Sequence, residues 1–345
     1  MRKAICLSMF IFLLIGCANE NESVTRTGAE TEDETSAVDI ENEDVKQGEP
    51  TPDSKENSDF KVTLVGTGEP ALSMERFGNS TLVQAGEENL LFDVGRGAVL
   101  RMSEIDVMPG MIDKLFITHL HHDHLLDYPD LLISASLLDH GERDGELQVW
   151  GPEGTDHFVT HMQEAFRDDR QNRIEIIGID ESILSATVTE VDEGVVYEGE
   201  NLEVIAFEVD HGPMEPAYGY RINYKDHSVV ISGDTTMNEN LIEHAGGTDL
   251  LIQEVVAVNS SPDEEYKSKV HENVEAYHTT PEEAGEIFEK VDPGLAVFSH
   301  VVTLGVTEEE ANFQERAEKI YDGDVILGED LMSFEIGEEI KVNQP

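Results

Sequence analysis

The run Thr118-His119-Leu120-His121-His122-Asp123-His124 constrains this chain more than any other stretch of its 345 residues. It follows Lys114-Leu115-Phe116-Ile117, an apolar stretch that predicts a buried strand. Imidazole and carboxylate are ligands that borderline cations such as Zn²⁺ accept readily. A strand alternates its side chains and a following turn re-aims them. His119 and His121 are therefore expected on one cation, with Asp123 and His124 on a second beside it. The fold must then bring further donors to the end of this strand.

The pattern resembles the signature of the metallo-β-lactamase fold. The resemblance implies an α/β architecture, an αββα sandwich of two mixed β-sheets flanked by helices. It also implies a binuclear centre of two Zn²⁺, with Mn²⁺ or Fe²⁺ as alternatives, completed by a His, a bridging Asp and a last His at later strand ends. Val209-Asp210-His211-Gly212-Pro213 offers His211 to the first cation. Val229-Val230-Ile231-Ser232-Gly233-Asp234-Thr235 offers Asp234 as the bridge, and Ala296-Val297-Phe298-Ser299-His300 offers His300 to the second cation.

Further motifs are similar to the ribonuclease Z and arylsulfatase branch: Val65-Gly66-Thr67-Gly68-Glu69-Pro70, Arg76-Phe77-Gly78-Asn79-Ser80-Thr81, and Leu91-Phe92-Asp93-Val94-Gly95-Arg96-Gly97. His278-Thr279-Thr280, 22 residues ahead of His300, resembles that branch's His-Ser-Thr element. The resemblance assigns His278 to protonating the leaving oxygen rather than to holding a metal, and gives Asp123 a part in catalysis as well as ligation. Asp93 and Glu254 are expected to orient histidines from behind. The branch often carries His-Glu-Ala-Thr where this chain has Gln253-Glu254-Val255-Val256, so the Glu is kept and the His is not.

The N-terminus reads differently. Arg2-Lys3, an apolar run from Ala4 to Ile15 and Leu14-Ile15-Gly16-Cys17 form a lipoprotein signal peptide over residues 1–16, with Cys17 as the lipidated residue. Residues 18–59 are polar and acidic and cannot bury enough surface to order themselves. They are expected to form a tether of about 35–40 Å r.m.s. span between a membrane anchor and a hydrolase domain over residues 60–345. The expected location is the extracytoplasmic face of the cell membrane, with no disulfide once Cys6 leaves with the signal.

Net charge is −52, from 74 acidic and 22 basic residues. Between Ile174 and Tyr220 there are 12 Asp or Glu and no Lys or Arg. Nucleic-acid binding depends on cations that neutralise phosphates, so RNA is not expected as the main substrate. The basic, Gly-rich arm with which ribonuclease Z clamps tRNA has only a short, acidic counterpart here.

Short strands are predicted at Lys61–Val65, Ser80–Ala85, Asn89–Asp93, Leu147–Trp150, Leu202–Glu208, Tyr218–Asn223 and His227–Ser232. A helix is predicted from Tyr128 to His140, another from a capping box at Thr280-Pro281-Glu282-Glu283 to about Lys290, and a last one over Glu308–Ile320. No G-x-S-x-G is present and no thiol is left for nucleophilic catalysis. The expected activity is hydrolysis of a small phosphodiester or sulfate ester by metal-activated hydroxide. The alternatives are tRNA 3′ processing of the ribonuclease Z kind, or lactone or amide hydrolysis. The family resemblance also admits a dimer, while the sequence leaves the oligomeric state open.

Overall fold

The computed structural model describes residues 59–345 except 138–140, 142 and 260–264. The signal peptide, Cys17 and the tether up to residue 58 therefore lie outside the described residues, while Asp59, read as the tether's last residue, pairs with Lys225 of the domain. Among those described, no helix is long and apolar enough to cross a membrane.

In chain order the strands are β1 (Phe60–Gly66), β2 (Ser80–Ala85), β3 (Glu88–Phe92), β4 (Lys114–Phe116), β5 (Leu147–Gly151) and β6 (Ala186–Glu190), then β7 (Gly194–Gly199), β8 (Leu202–Val209), β9 (Ala217–Tyr224), β10 (His227–Ile231), β11 (Leu250–Val258), β12 (Leu295–Leu304) and β13 (Val325–Leu327), and last β14 (Ser333–Glu335) and β15 (Lys341–Asn343). One sheet has the order β15-β14-β1-β2-β3-β4-β5-β6 and the other β13-β12-β11-β10-β9-β8-β7. Each mixes antiparallel hairpins with parallel pairs such as β3–β4 and β11–β12.

The two-residue period of the strands explains the layers. Phe60, Val62 and Leu64 of β1 point into the space between the sheets, where they meet Leu250 and Ile252 of β11 and Val297 of β12. The intervening Leu251, Ala296 and Phe298 face outward onto the helices Glu239–Ala245, Pro281–Val291 and Phe313–Glu318. On the far side, Leu82, Leu91, Leu115 and Ile117 face the helices Ala98–Glu104 and Tyr128–Ser134. Strands covered on both faces read as continuous apolar runs, as these do. The result is the expected pair of mixed sheets flanked by helices.

The two sheets are tied together beside the histidine run. The Tyr220 hydroxyl on β9 donates to the Ile117 carbonyl (2.8 Å), and the Tyr218 N–H donates to the Thr118 carbonyl (2.9 Å). Phe116 stacks between Phe92 and Trp150, at ring distances of 4.9 and 4.7 Å. This packing fixes where β4 delivers His119.

Three expectations need correcting. The helix from Tyr128 ends at Ser134, and residues 138–140 lie outside the described ones. The last predicted helix is two helices, Glu308–Ala311 and Phe313–Glu318, because Asn312 between them adopts the left-handed conformation (φ 48°) that Asn tolerates and a helix interior does not. His300 does not follow the end of its strand. β12 runs on to Leu304, and His300 is an extra residue inside it, between Ser299 paired with Glu254 and Val301 paired with Val255.

Candidate metal centre

The side chains of the histidine run separate as soon as β4 ends. His119 follows β4, His121 is extended and precedes a tight helical turn over His122–His124, and that turn swings Asp123 and His124 inward. His119, His124 and Asp123 are buried, while His122 points outward and is 63% exposed at its side chain. The opposite sheet supplies the remaining donors. After β10, Gly233 turns at φ 63°, where an added Cβ would stand 2.5 Å from the Tyr218 carbonyl oxygen, and so presents Asp234. At the bulge in β12, His300 adopts φ 44°. For a residue with a side chain this costs about 1–2 kcal/mol, and it turns the imidazole off the strand face toward Asp123.

The donors form two groups. His119 Nε2 lies 2.9 Å from His121 Nδ1, which lies 3.1 Å from His211 Nε2. Asp234 Oδ2 is 3.8 Å from both His119 Nε2 and His211 Nε2. In the second group His300 Nε2 is 3.2 Å from Asp123 Oδ2, and His124 Nε2 is 3.6 Å from that same oxygen. Asp234 Oδ2 is again the common neighbour, 3.3 Å from His124 Nε2 and 3.4 Å from His300 Nε2. Four donors about 2.0–2.1 Å from a tetrahedral cation lie roughly 3.3 Å apart, and both groups bracket that spacing. One carboxylate oxygen thus belongs to both groups.

The chemistry of these donors also fits cations. His124 Nε2 and Asp234 Oδ1 are buried without a hydrogen-bond partner, a cost that proteins rarely bear without a reason. Burial, reinforced by neighbouring imidazoles, lowers the pKa of His119 and His121 and brings His211 down to about 4, so their lone pairs are free at neutral pH. Burial also opposes charge on His124, but the carboxylates of Asp234, Asp93 and Asp123 outweigh it and hold this ring well above its ordinary value. His300 is raised in the same way, by Asp234 and by the hydrogen bond to Asp123. The second group attracts positive charge.

Several of the rings are held from behind. His124 Nδ1 lies 2.7 Å from Asp93 Oδ2, and Asp93, at φ 57° just past β3, is itself gripped by the Thr118 N–H (2.8 Å) and hydroxyl (2.9 Å). The Tyr277 carbonyl stands 2.9 Å from His211 Nδ1, leaving Nε2 to face the centre. Glu254 Oε1 accepts the N–H groups of Thr235 (3.1 Å) and Thr279 (2.9 Å), and its Oε2 lies 3.2 Å from His278 Nδ1. Burial resists charge on His278, yet Glu254 prevails and pushes it up to about 9. His278 is also close enough to share donors with Asp234 and His300, all within 4.8 Å of one another.

Several contributors escaped the sequence reading. Thr118 and the Tyr277 carbonyl hold ligand rings but carry no motif of their own. Gln253, at the position of the missing His, is fully buried and reaches the Thr279 hydroxyl (3.3 Å), beside His278. Glu69 enters the hollow over the centre, where it accepts from the Thr303 N–H and hydroxyl (3.2 Å each).

Residues 89–301 match a family profile described as "Beta-lactamase superfamily domain". The chain is 35% identical over 280 residues to "Ribonuclease Z" of Mycobacterium sp. (strain KMS), covering 80% of this chain and 96% of that protein. Among solved structures it is similar to the metallo-beta-lactamase fold protein YhfI from Bacillus subtilis (TM-score 0.63, 19% identity, 79% of this chain and 98% of that one). It is also similar to human tRNase Z, short form (TM-score 0.59, 23% identity, 80% and 99%). This chain belongs to the metallo-β-lactamase-fold hydrolase family, with ribonuclease Z among its relatives. Its His and Asp clusters are suited to binding metal ions.

Proposed function

We propose that this chain is a two-metal phosphodiesterase, and that RNA 3′ processing of the ribonuclease Z kind is the substrate reading its kinship favours. The observation that carries the two-metal reading is the position of Asp234 Oδ2, within 3.8 Å of donors from both groups. His119, His121, His211 and Asp234 would hold one cation, and Asp123, His124, His300 and Asp234 the other. Two bound cations, zinc in the first instance, would lower the pKa of a water molecule and offset charge that builds on the substrate's oxygens. His278, charged through its pairing with Glu254, delivers a proton to the departing oxygen. Asp123 borders the hollow over the centre, beside the position where such a water would lie. The name of the Mycobacterium relative supports RNA as substrate, against the expectation drawn from charge.

A second reading, a small phosphate or sulfate ester, is favoured by one observation: among the described residues, no Lys or Arg lines the hollow above the centre. An anchor at Cys17, which would hold the enzyme away from cytoplasmic RNA, agrees with it. Metal analysis and turnover of the full, zinc-loaded chain on precursor tRNA and on bis-p-nitrophenyl phosphate test both readings. Two metal equivalents are expected. Faster cleavage of precursor tRNA near physiological salt selects the first reading, the opposite order selects the second, and an active preparation with one equivalent or none refutes the two-metal site. Labelled fatty acid retained by Cys17→Ser would refute the anchor.

A further inference from the structure

The hollow over the metal centre has two unlike walls. One is formed by the donor side, His121, Asp123, Asp234, His278 and His300, with the exposed His122 at its edge. The other is formed by Pro70 and Ala71 from the β1–β2 connection, Val302 and Leu304 from the end of β12, and Val274 and Tyr277 ahead of His278. The space between them is about 350 Å³. Glu69 is the acid on this side, and its carboxylate is occupied by Thr303. Polyanion sites place Lys or Arg where flanking phosphates lie, and among the described residues this wall has none.

The apolar lining continues outward. Ala71 also borders a second hollow of about 290 Å³ with Leu72, Met74 and Phe77. Leu72 and Met74 are 84% and 83% exposed, large apolar side chains held in water at the mouth of the site. The arginines bordering this second hollow already have partners. Arg76 is bound to both carboxylate oxygens of Glu308 (2.6 and 2.8 Å), and Arg96 to the Pro70 carbonyl (3.3 Å).

We propose that the substrate of this centre is a phosphodiester with an apolar group, alkyl or aromatic, next to the scissile phosphate, seated between Pro70–Ala71 and Val302–Leu304 and reaching over Ala71 toward Leu72 and Met74. The proposal rests on the phosphodiesterase reading and refines it toward a small, singly charged substrate. An apolar wall gains free energy by excluding water from an apolar partner, and a single phosphate needs no cation beyond those of the centre.

The test uses the full chain and a series of p-nitrophenyl phosphodiesters whose second group is methyl, ethyl, butyl or hexyl, so that the leaving group never changes. A buried methylene is worth roughly a factor of four. From methyl to butyl, three methylenes, kcat/KM should therefore rise by up to about sixty-fold and at least roughly ten-fold, and Leu304→Ser combined with Val274→Ser should cut the butyl-to-methyl ratio several-fold. Calorimetry with methylphosphonate and butylphosphonate gives a second readout free of turnover, and the longer alkyl group should bind at least roughly ten-fold tighter. Equal binding of the two phosphonates, or a kcat/KM flat across the series, overturns the apolar seat. If the phosphonates discriminate but no diester is cleaved, the phosphodiesterase reading fails instead. A preference for oligonucleotides over every alkyl diester overturns the apolar seat and leaves the phosphodiesterase reading standing.

Discussion

Two histidines of this molecule are built alike and end differently. His124 and His278 each turn Nδ1 onto a buried carboxylate, Asp93 at 2.7 Å and Glu254 at 3.2 Å. Each carboxylate is anchored by two groups from the chain around it, Thr118 N–H and hydroxyl for Asp93, Thr235 and Thr279 N–H for Glu254. The difference lies around the other nitrogen. His124 is sealed in the interior, and its Nε2 faces the oxygens of Asp234 and Asp123. His278 borders the hollow over the centre. An anchored carboxylate makes an imidazole more basic; whether the gain goes to a cation or to a proton depends on what the free nitrogen meets.

That contrast can be broken at its centre first. Replacing a donor shared by no other function, as in His121→Ala, should remove metal and turnover together, down to background, as read by metal analysis and rate on one sample. His278→Ala should instead keep both metal equivalents and slow the reaction by roughly 10²–10⁴-fold, the usual worth of a positioned acid. The deficit should shrink with nitrophenolate leaving groups, which need little protonation. Because His278 lies within donor distance of Asp234 and His300, loss of a metal equivalent in His278→Ala would place it among the ligands and erase the contrast.

How far the sequence reached follows the same divide between local and assembled features. The donors just past β4 lie within six residues, so an extended run followed by one turn was enough to set His119 and His121 apart from Asp123 and His124. Asp234 and His211 were legible because each follows an apolar strand, and the capping box at Thr280 formed as read, with Glu283 answering Thr280. The bulge at His300 was not legible. It exists only because β11 and β12 pair with a one-residue slip, and pairing register is not written in either strand alone. The Tyr277 carbonyl and Thr118 hydroxyl were missed for a related reason, since any residue has a carbonyl and only the tertiary fold points this one at His211. The break at Asn312 left a local trace, an Asn that tolerates left-handed geometry inside an otherwise helical pattern.

A smaller effect tests the sealed member of the pair. Asp93→Asn keeps the volume but presents an amide to His124 or to Thr118, so one of those bonds is lost. Loss of such a supporting carboxylate typically costs about 10–100-fold in metal affinity or activity. The loss should fall mainly on the equivalent that His124 serves, since Asp93 contacts His124 directly and His119 only through the Thr118 hydroxyl. Titration with a chelator would show this as one weakened step. Two equally weakened steps would mean that Asp93 supports the fold at large.

The smallest expected effect is the most specific, because it moves a pH profile more than a rate. In Glu254→Gln the remaining oxygen can still accept from Thr235 and Thr279, so the local chain keeps its bonds. The group facing His278 Nδ1 becomes an amide N–H donor, which disfavours a proton on that nitrogen. Glu254 is what outweighs burial in raising His278 to about 9, and bound cations push the ring down from there. The sign follows directly. A ring with a raised pKa keeps its proton as pH climbs and loses it on passing that value, so activity that needs the charged ring declines on the alkaline side. Removing the carboxylate should move that decline to lower pH, by about one to three pH units for an opposite charge at this distance. Rates well below the new value should change little, and the metal content should stay at its wild-type level. An alkaline limb that does not move in Glu254→Gln would show that His278 is not the titrating acid, and that Glu254 only holds the chain around Thr279.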